Sequence, residues 1–343
     1  MEKPSQRIVT GTAFDEDAQI DASVRPKRLA DYIGQSRVKE NIEIAIQAAR
    51  SRGEALDHVL LYGPPGLGKT TLAQILAHEM GADLKATSGP AIEKAGDLAG
   101  VLTKLQPGDL LFIDEIHRIS PTVEEYLYSA MEDYHIDIML DQGVSARSMR
   151  IPLPRFTLAG STTREGLLSA PFRSRFGVVE RLDFYPWQDL FQIALNSAKA
   201  LGIRIVEAGA EIIAKRSRGT PRLVNRFLKR LRDVAEVRGD GVVTEKVAHE
   251  GLDRLGVDPR GLGEMDRRII ECILRLRGQP VGLKTVAVTV GEEETTIEEV
   301  YEPYLIQLGY IAKTPRGRVP TEAAFRDYAK ELPGGGKGGL FAK

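Results

Sequence analysis

Between residues 31 and 183, short apolar runs alternate with stretches of helical spacing, which predicts strands and helices in turn and hence a mostly parallel sheet covered on both faces. The runs that read as strands are 59–62, 84–87, 110–114 and 156–161. After residue 69, Leu72, Ile75, Leu76 and Met80 keep helical spacing, and Gly81 is placed to end that helix. From 186 to 255 the strand signal disappears and helical runs such as Leu223, Phe227, Leu228 and Leu231 predict a small helical bundle. Residues 256–261 read as a linker. Beyond them, helical patterns at 265–277, 283–288 and 296–309 precede two extended pieces, 310–313 and 318–320, around the turn residues Thr314-Pro315-Arg316-Gly317. Three helices and a hairpin predict a winged helix-turn-helix. The expected organisation is a sheet domain over 21–184, a helical domain over 185–256 and a winged helix over 257–331. The stretches 1–20 and 332–343, without periodicity and in the second case glycine-rich, are expected to be flexible.

Composition narrows this picture without redirecting it. A chain of 343 residues is more than one compact core needs, which agrees with several domains. A net charge of −1 spreads no global basic field, so any nucleic-acid contact must be a local patch. The single cysteine, Cys272, excludes an intrachain disulfide framework, and its apolar neighbours Ile269, Ile270, Ile273 and Leu274 make it a structural thiol. Five scattered histidines show no metal-ligand spacing. With neither a signal-peptide core nor a membrane-length apolar stretch, the chain is expected to be soluble and cytoplasmic.

The chemistry is concentrated at the ends of the predicted strands. Gly63-Pro64-Pro65-Gly66-Leu67-Gly68-Lys69-Thr70 follows a strand and opens a helix, the context of a phosphate-binding loop. Its glycines allow backbone N–H groups to turn around phosphates, Lys69 reaches the outer phosphates, and the Thr70 hydroxyl is suited to magnesium. The next strong signal, Leu110-Leu111-Phe112-Ile113-Asp114-Glu115, is an apolar strand ending in two carboxylates. Ligands of a parallel sheet gather at the carboxyl ends of its strands, so Asp114 would reach the hydrated metal while Glu115 orients and deprotonates water. The strand at 156–161 runs into Thr162, Thr163 and Arg164, which places hydroxyls where a terminal phosphate or attacking water could be sensed. Phe172-Arg173-Ser174-Arg175-Phe176-Gly177 offers two arginines, whose planar fork stabilises charge on a transferring phosphoryl group. Gly219-Thr220-Pro221-Arg222 opens a helix with Arg222 in its first turn.

In this order and spacing, GPPGLGKT, LLFIDEIHR, STTR, FRSRFG and GTPR resemble the AAA+ ATPases. RPKRLADYIGQ, PRFTLAGSTTREGLLSAPFRSRFG and TPRGRVPTEAAF resemble, more closely, the RuvB family of Holliday-junction branch-migration motors, over roughly residues 20 to 330. The resemblance implies a P-loop parallel-sheet ATPase domain, a small helical lid and a C-terminal winged helix, working with ATP and Mg2+. It implies that Gly66, Leu67, Gly68, Lys69, Thr70 and Thr71 hold phosphates and magnesium, that Asp114 and Glu115 act as above, and that Thr162 or Thr163 is the first sensor. It further implies that Arg175 serves the neighbouring subunit's ATP and that Arg222 is a second sensor. Val24, Arg25, Tyr32 and Ile33 would line the base pocket, with Glu132, Asp133, Tyr134 and Tyr185 also near nucleotide.

Two segments are candidates for delivering the work. Residues 136–151 have extended character on both sides of a glycine-containing turn and predict an inserted hairpin whose apolar Met139, Leu140, Val144 and Met149 mark a docking site. The resemblance implies docking to RuvA, a homo-oligomeric ring of hexameric type, and association with the resolvase RuvC. On the predicted wing, Lys313, Arg316 and Arg318 fall within six residues that contain no acid, a pattern suited to tracking a phosphate backbone without reading bases. Glu292-Glu293-Glu294 opens the helix that would otherwise enter a groove, and this favours sequence-independent contact with duplex DNA through the wing. Other readings are a clamp-loader-type ATPase, which the terminal basic hairpin opposes, a DNA-binding scaffold gated by ATP without turnover, and a purely protein-directed remodeller.

Overall fold

The computed structural model describes residues 24–139, 148–276 and 278–328. Helix α1 (Ser36–Arg52) leads into strand β1 (Val59–Tyr62), and β1 into helix α2 (Lys69–Met80), which Gly81 terminates in the left-handed conformation. There follow β2 (Leu84–Ser88), α3 (Ala95–Leu102), β3 (Leu110–Asp114) and α4 (Pro121–Glu132). An inserted antiparallel pair, β4 (His135–Met139) and β5 (Ser148–Pro152), precedes β6 (Thr157–Thr162), the short helix α5 (Ala170–Arg173) and β7 (Val178–Arg181). The main sheet is wholly parallel in the order β2-β3-β6-β1-β7. The strand at 178–181 was not expected from the apolar pattern. It forms an edge in which only Val178 and Val179 are apolar before the polar Glu180 and Arg181, so no continuous apolar run announces it.

Alternate residues of the central strands feed separate cores, because successive side chains leave opposite faces of a strand. Val59, Leu61, Leu110 and Phe112 pack with α1 and α2, whereas Leu60, Leu111 and Ile113 pack with α3 and α4. The first core continues without a break into the helical domain through Leu190, Ala194, Phe227, Leu228 and Leu231.

That domain comprises α6 (Trp187–Ala200), α7 (Glu207–Arg216), α8 (Pro221–Arg238) and α9 (Glu245–Arg254). It is not purely helical, contrary to expectation: β8 (Arg204–Ile205) and β9 (Val242–Val243) form a two-residue parallel pair, too short to register as a pattern. The third domain has its own core, built on α10 (Glu264–Arg275), α11 (Leu283–Val290), α12 (Glu302–Gln307) and the hairpin β10 (Ile311–Thr314) and β11 (Gly317–Pro320). The expected continuous helix at 296–309 is instead a short turn, Glu294–Thr296, a π turn, Ile297–Tyr301, and then α12 with Pro303 near its start. A final helix, α13 (Glu322–Tyr328), closes the domain and was not foreseen. Cys272 is buried in this core, and burial raises its thiol pKa. Among the described residues no helix is long and apolar enough to cross a membrane.

The predicted hairpin at 136–151 is present, with Ile136 opposite Ile151 and Met139 opposite Ser148. Met149 on β5 is exposed, and Met139 ends β4; Leu140 and Val144 lie outside the described residues.

Candidate active site at the carboxyl ends of three strands

Strands β3, β6 and β1 are neighbours in the sheet, so their carboxyl ends present Asp114, Thr162 and Tyr62 side by side. The loop leaving β1 crosses this edge. Gly63 N donates to Thr162 O (3.2 Å), and Gly66 and Gly68 take φ values of 82° and 98°, a region open chiefly to glycine. A Cβ on Gly68 would also meet the Tyr32 hydroxyl at 3.0 Å. Gly68 caps α2, so Lys69, Thr70 and Thr71 occupy its first turn, where N–H groups lack helical partners and face the cleft.

The cleft gathers Arg25, Gly66, Gly68, Lys69, Thr70, Thr71, Asp114, Glu115 and Arg222, together with Asn225. The Lys69 ammonium donates to the carbonyls of Gly63 (2.8 Å) and Pro64 (3.0 Å). Burial lowers its pKa to about 8, against the opposing pull of Glu115 and Asp114, while Arg222 adds to the depression. Asp114 Oδ1 accepts from Glu115 N (3.1 Å) and from the Ser161 hydroxyl. Burial pushes Glu115 up, but the His117 contact, the Lys69 charge and the Thr163 N–H outweigh it and hold the carboxyl below its ordinary range. Thr163 donates to Glu115 Oε2 from both N (3.4 Å) and Oγ1 (3.3 Å), while buried Thr162 faces His117 Nδ1 (2.9 Å). The two threonines therefore do different things. Arg222 enters from the lid: its N–H meets Gly66 O (3.4 Å), and its Cβ packs where a Gly66 side chain would stand.

Beside this polar cleft lies a mainly apolar one of about 480 Å³, lined by Val24, Arg25, Tyr32, Ile33 and Leu67 from the sheet domain and by Tyr185 at the start of the lid. Ile193, Asn196 and Pro221 complete it from the lid. The Tyr32 and Tyr185 hydroxyls lie 2.8 Å apart and close on Leu67 O, and burial raises both pKa values, that of Tyr185 to about 12. An apolar cavity next to a phosphate loop suits a nucleobase.

Not every candidate converges here. Arg175 lies elsewhere, donating to Glu132 (2.7 Å) and Pro171 O (2.8 Å) and stacking over the Tyr128 ring at 4.6 Å. Tyr134 shares that second concavity with Arg175, and Asp133 ends α4 beside it. Arg173 pairs with Glu165 (3.2 Å). On the wing, Lys313 contacts Glu298 and Glu302 (both 3.0 Å), and Arg318 contacts Glu302 (2.5 Å). Of the three basic candidates, Arg316 at the exposed tip is the one for which no such pair is formed among the described residues. Ser161, His117 and Asn225 were missed by the sequence reading. The first two stand inside the quoted STTR and DEIHR runs and were legible as polar residues at strand ends; nothing local marked Asn225.

A β-α-β parallel sheet with a phosphate loop on an interior strand, an acidic pair two strands away and a lid arginine over the loop defines an AAA+ P-loop ATPase. Family models match along most of the chain: the Holliday junction DNA helicase RuvB P-loop domain over 24–182, the RuvB AAA lid domain over 185–258 and the RuvB C-terminal winged helix domain over 259–328. The chain belongs to the RuvB family, the ATP-driven DNA-binding motors of Holliday-junction branch migration in recombination and repair. Among solved structures, the Holliday junction branch migration motor RuvB of Thermotoga maritima is 48% identical, with a TM-score of 0.82, over 91% of this chain and 100% of that one. Two point mutants of the Thermotoga protein superpose with TM-scores of 0.83 at 48% and 49% identity, each over 90% of this chain and 99% and 100% of their own.

Proposed function

We propose that the chain hydrolyses ATP in the cleft between β1, β3 and the lid, and that this turnover moves duplex DNA through a junction. The observation that carries the reading is the convergence of Lys69, Thr70, Asp114, Glu115 and Arg222 on one cleft, contributed by two strands and the lid. The backbone N–H groups at the start of α2 and the Lys69 ammonium bind the outer phosphates. Thr70 and Asp114 would hold a magnesium ion, which supplies charge neutralisation on the phosphates; Asp114 Oδ2 has no protein donor among the described residues, and two hard oxygen ligands suit an ion that keeps most of its waters. Glu115, kept ionised by His117 and Lys69, takes the proton from the attacking water. Thr163 holds that carboxylate in place, and the end of β6, through Thr162 or Thr163, would supply the phosphate sensor.

Arg175 points away from its own subunit's cleft, which supports its acting on the nucleotide of a neighbouring copy in a ring of hexameric type. The β4–β5 hairpin, with exposed Met149, supports docking to RuvA, and the assembly so formed would also meet RuvC. Contact with DNA is sequence-independent and falls on Arg316 first. The lone buried cysteine is compatible with a cytoplasmic setting.

Glu115→Gln should lower ATP turnover by about 10²–10⁴-fold while ATP still binds. The check is phosphate release beside strand separation of a synthetic four-way junction with RuvA present. Undiminished junction movement in that variant would sink the assignment.

A further inference from the structure

Glu115 stands at the end of β3 with φ of 48°, a left-handed conformation that a non-glycine residue keeps only where its surroundings enforce it. The enforcing element is the 3-10 turn Ile116–Arg118, closed by Arg118 N donating to Glu115 O (2.9 Å). This turn lies across β6 because Gly160 has no side chain; a Cβ there would meet Ile116 Cδ1 at 3.0 Å. The close approach brings His117, 6% exposed at its side chain, into the space between Glu115 and Thr162.

One ring atom serves both neighbours. Nδ1 of His117 lies 3.2 Å from Glu115 Oε2 and 2.9 Å from Thr162 Oγ1, and that hydroxyl also accepts the Arg164 N–H at 2.9 Å. A carboxylate oxygen only accepts, so contact with Glu115 requires the proton on Nδ1. Oε2 thus takes the His117 contact and both Thr163 contacts, whereas Oε1 has no protein donor among the described residues. The carboxylate is held by one oxygen and presents the other.

We propose that His117 is a positioning residue for hydrolysis, clamping Oε2 of Glu115 against the end of β6 so that Oε1 is aimed at water, and passing displacements of Thr162 to the carboxylate. This rests on the reading of Glu115 as the base.

The test uses the full chain with duplex DNA, measuring steady-state ATP turnover and the affinity of a fluorescent ATP analogue. His117→Leu should lower kcat at least about tenfold, with KM and analogue affinity within about twofold, because misaiming a reacting group costs rate and spares binding. His117→Asn, whose amide reaches the place of Nδ1, should recover most of kcat, and His117→Gln, whose amide reaches the place of Nε2, should not. Added to Glu115→Gln, His117→Leu should cause no further loss, since two residues acting through one group are not additive. Unchanged kcat in His117→Leu, an effect confined to KM, or equal kcat in the asparagine and glutamine variants overturns the proposal. The last comparison stands even if the leucine variant fails to fold. Turnover that survives Glu115→Gln overturns the base reading itself, whereas its loss beside unaffected His117 variants overturns the positioning role alone.

Discussion

Lys69 exchanges water for two carbonyls and a pair of carboxylates, and burial outweighs those partners in bringing its pKa to about 8. The ordinary value is 10.5, so the unfolded chain binds more protons between the two values, and this group's contribution to stability improves as pH rises through that window. Nucleotide binding works in the other sense. Phosphates favour the ammonium, so binding near pH 8 should take up a proton. Calorimetry at that pH in buffers of different ionisation enthalpy should register the uptake, and Lys69→Met should abolish it; buffer-independent heats in the unsubstituted protein would contradict the reading. The lysine itself was legible from the loop motif. Its altered acidity was not, because burial and the proximity of Glu115 arise only when β3 and the lid close on the loop.

At the scale of elements, the wing shows why a charge pattern in the sequence is an incomplete guide to a binding surface. Lys313 and Arg318 are opposite each other on β10 and β11, and both reach back to Glu298 and Glu302 on the preceding turn and helix. Glu302 is 2% exposed, so its charge is tolerable only while paired. Arg318→Ala should therefore destabilise the domain, by about 1–3 kcal/mol given that Lys313 remains, which urea denaturation would measure. Arg316→Ala should leave stability unchanged and reduce the slope of log DNA affinity against log salt by about one. The opposite assignment of these two effects would place the DNA contact on β11 rather than at the tip. The basic cluster was visible in the sequence, whereas its counter-ions lie more than ten residues upstream and become neighbours only by the folding of the hairpin.

Across the whole molecule, the winged helix is clasped to both other domains. Arg218, with φ of 51°, donates from Nε to Gly261 O (2.6 Å) and from both terminal nitrogens to buried Asp266. Arg164, next to the paired threonines, contacts Glu299 (2.6 Å) and Glu298 (3.3 Å). Arg164, which follows Thr163, and Arg218, in the turn before α8, thus both hold the winged-helix domain. Arg175 adds no charge to the cleft, since it is spent on Glu132 and Tyr128 at another surface. Subunits carrying Arg175→Ala and subunits carrying Glu115→Gln should each be inactive. Mixed, they should regain part of the ATP turnover, because some boundaries then combine an intact Arg175 with an intact Glu115. No recovery at any mixing ratio would argue that Arg175 serves its own subunit.

The sequence by itself determined the parallel-sheet class, the phosphate loop, the acidic strand end and the winged-helix order, because each rests on local spacing or on a strand-loop-helix context a few residues long. It did not determine the edge strand β7, the β8–β9 pair, the π turn at 297–301 or the closing helix α13, whose short or mixed polar runs carry no period. Tertiary structure alone decided that β6 lies between β1 and β3, and so brought Ser161 to the carboxylate of Asp114, Thr163 to that of Glu115 and Thr162 to His117. Strand order is set by which buried faces pack together, a property of the whole sheet that no single segment encodes.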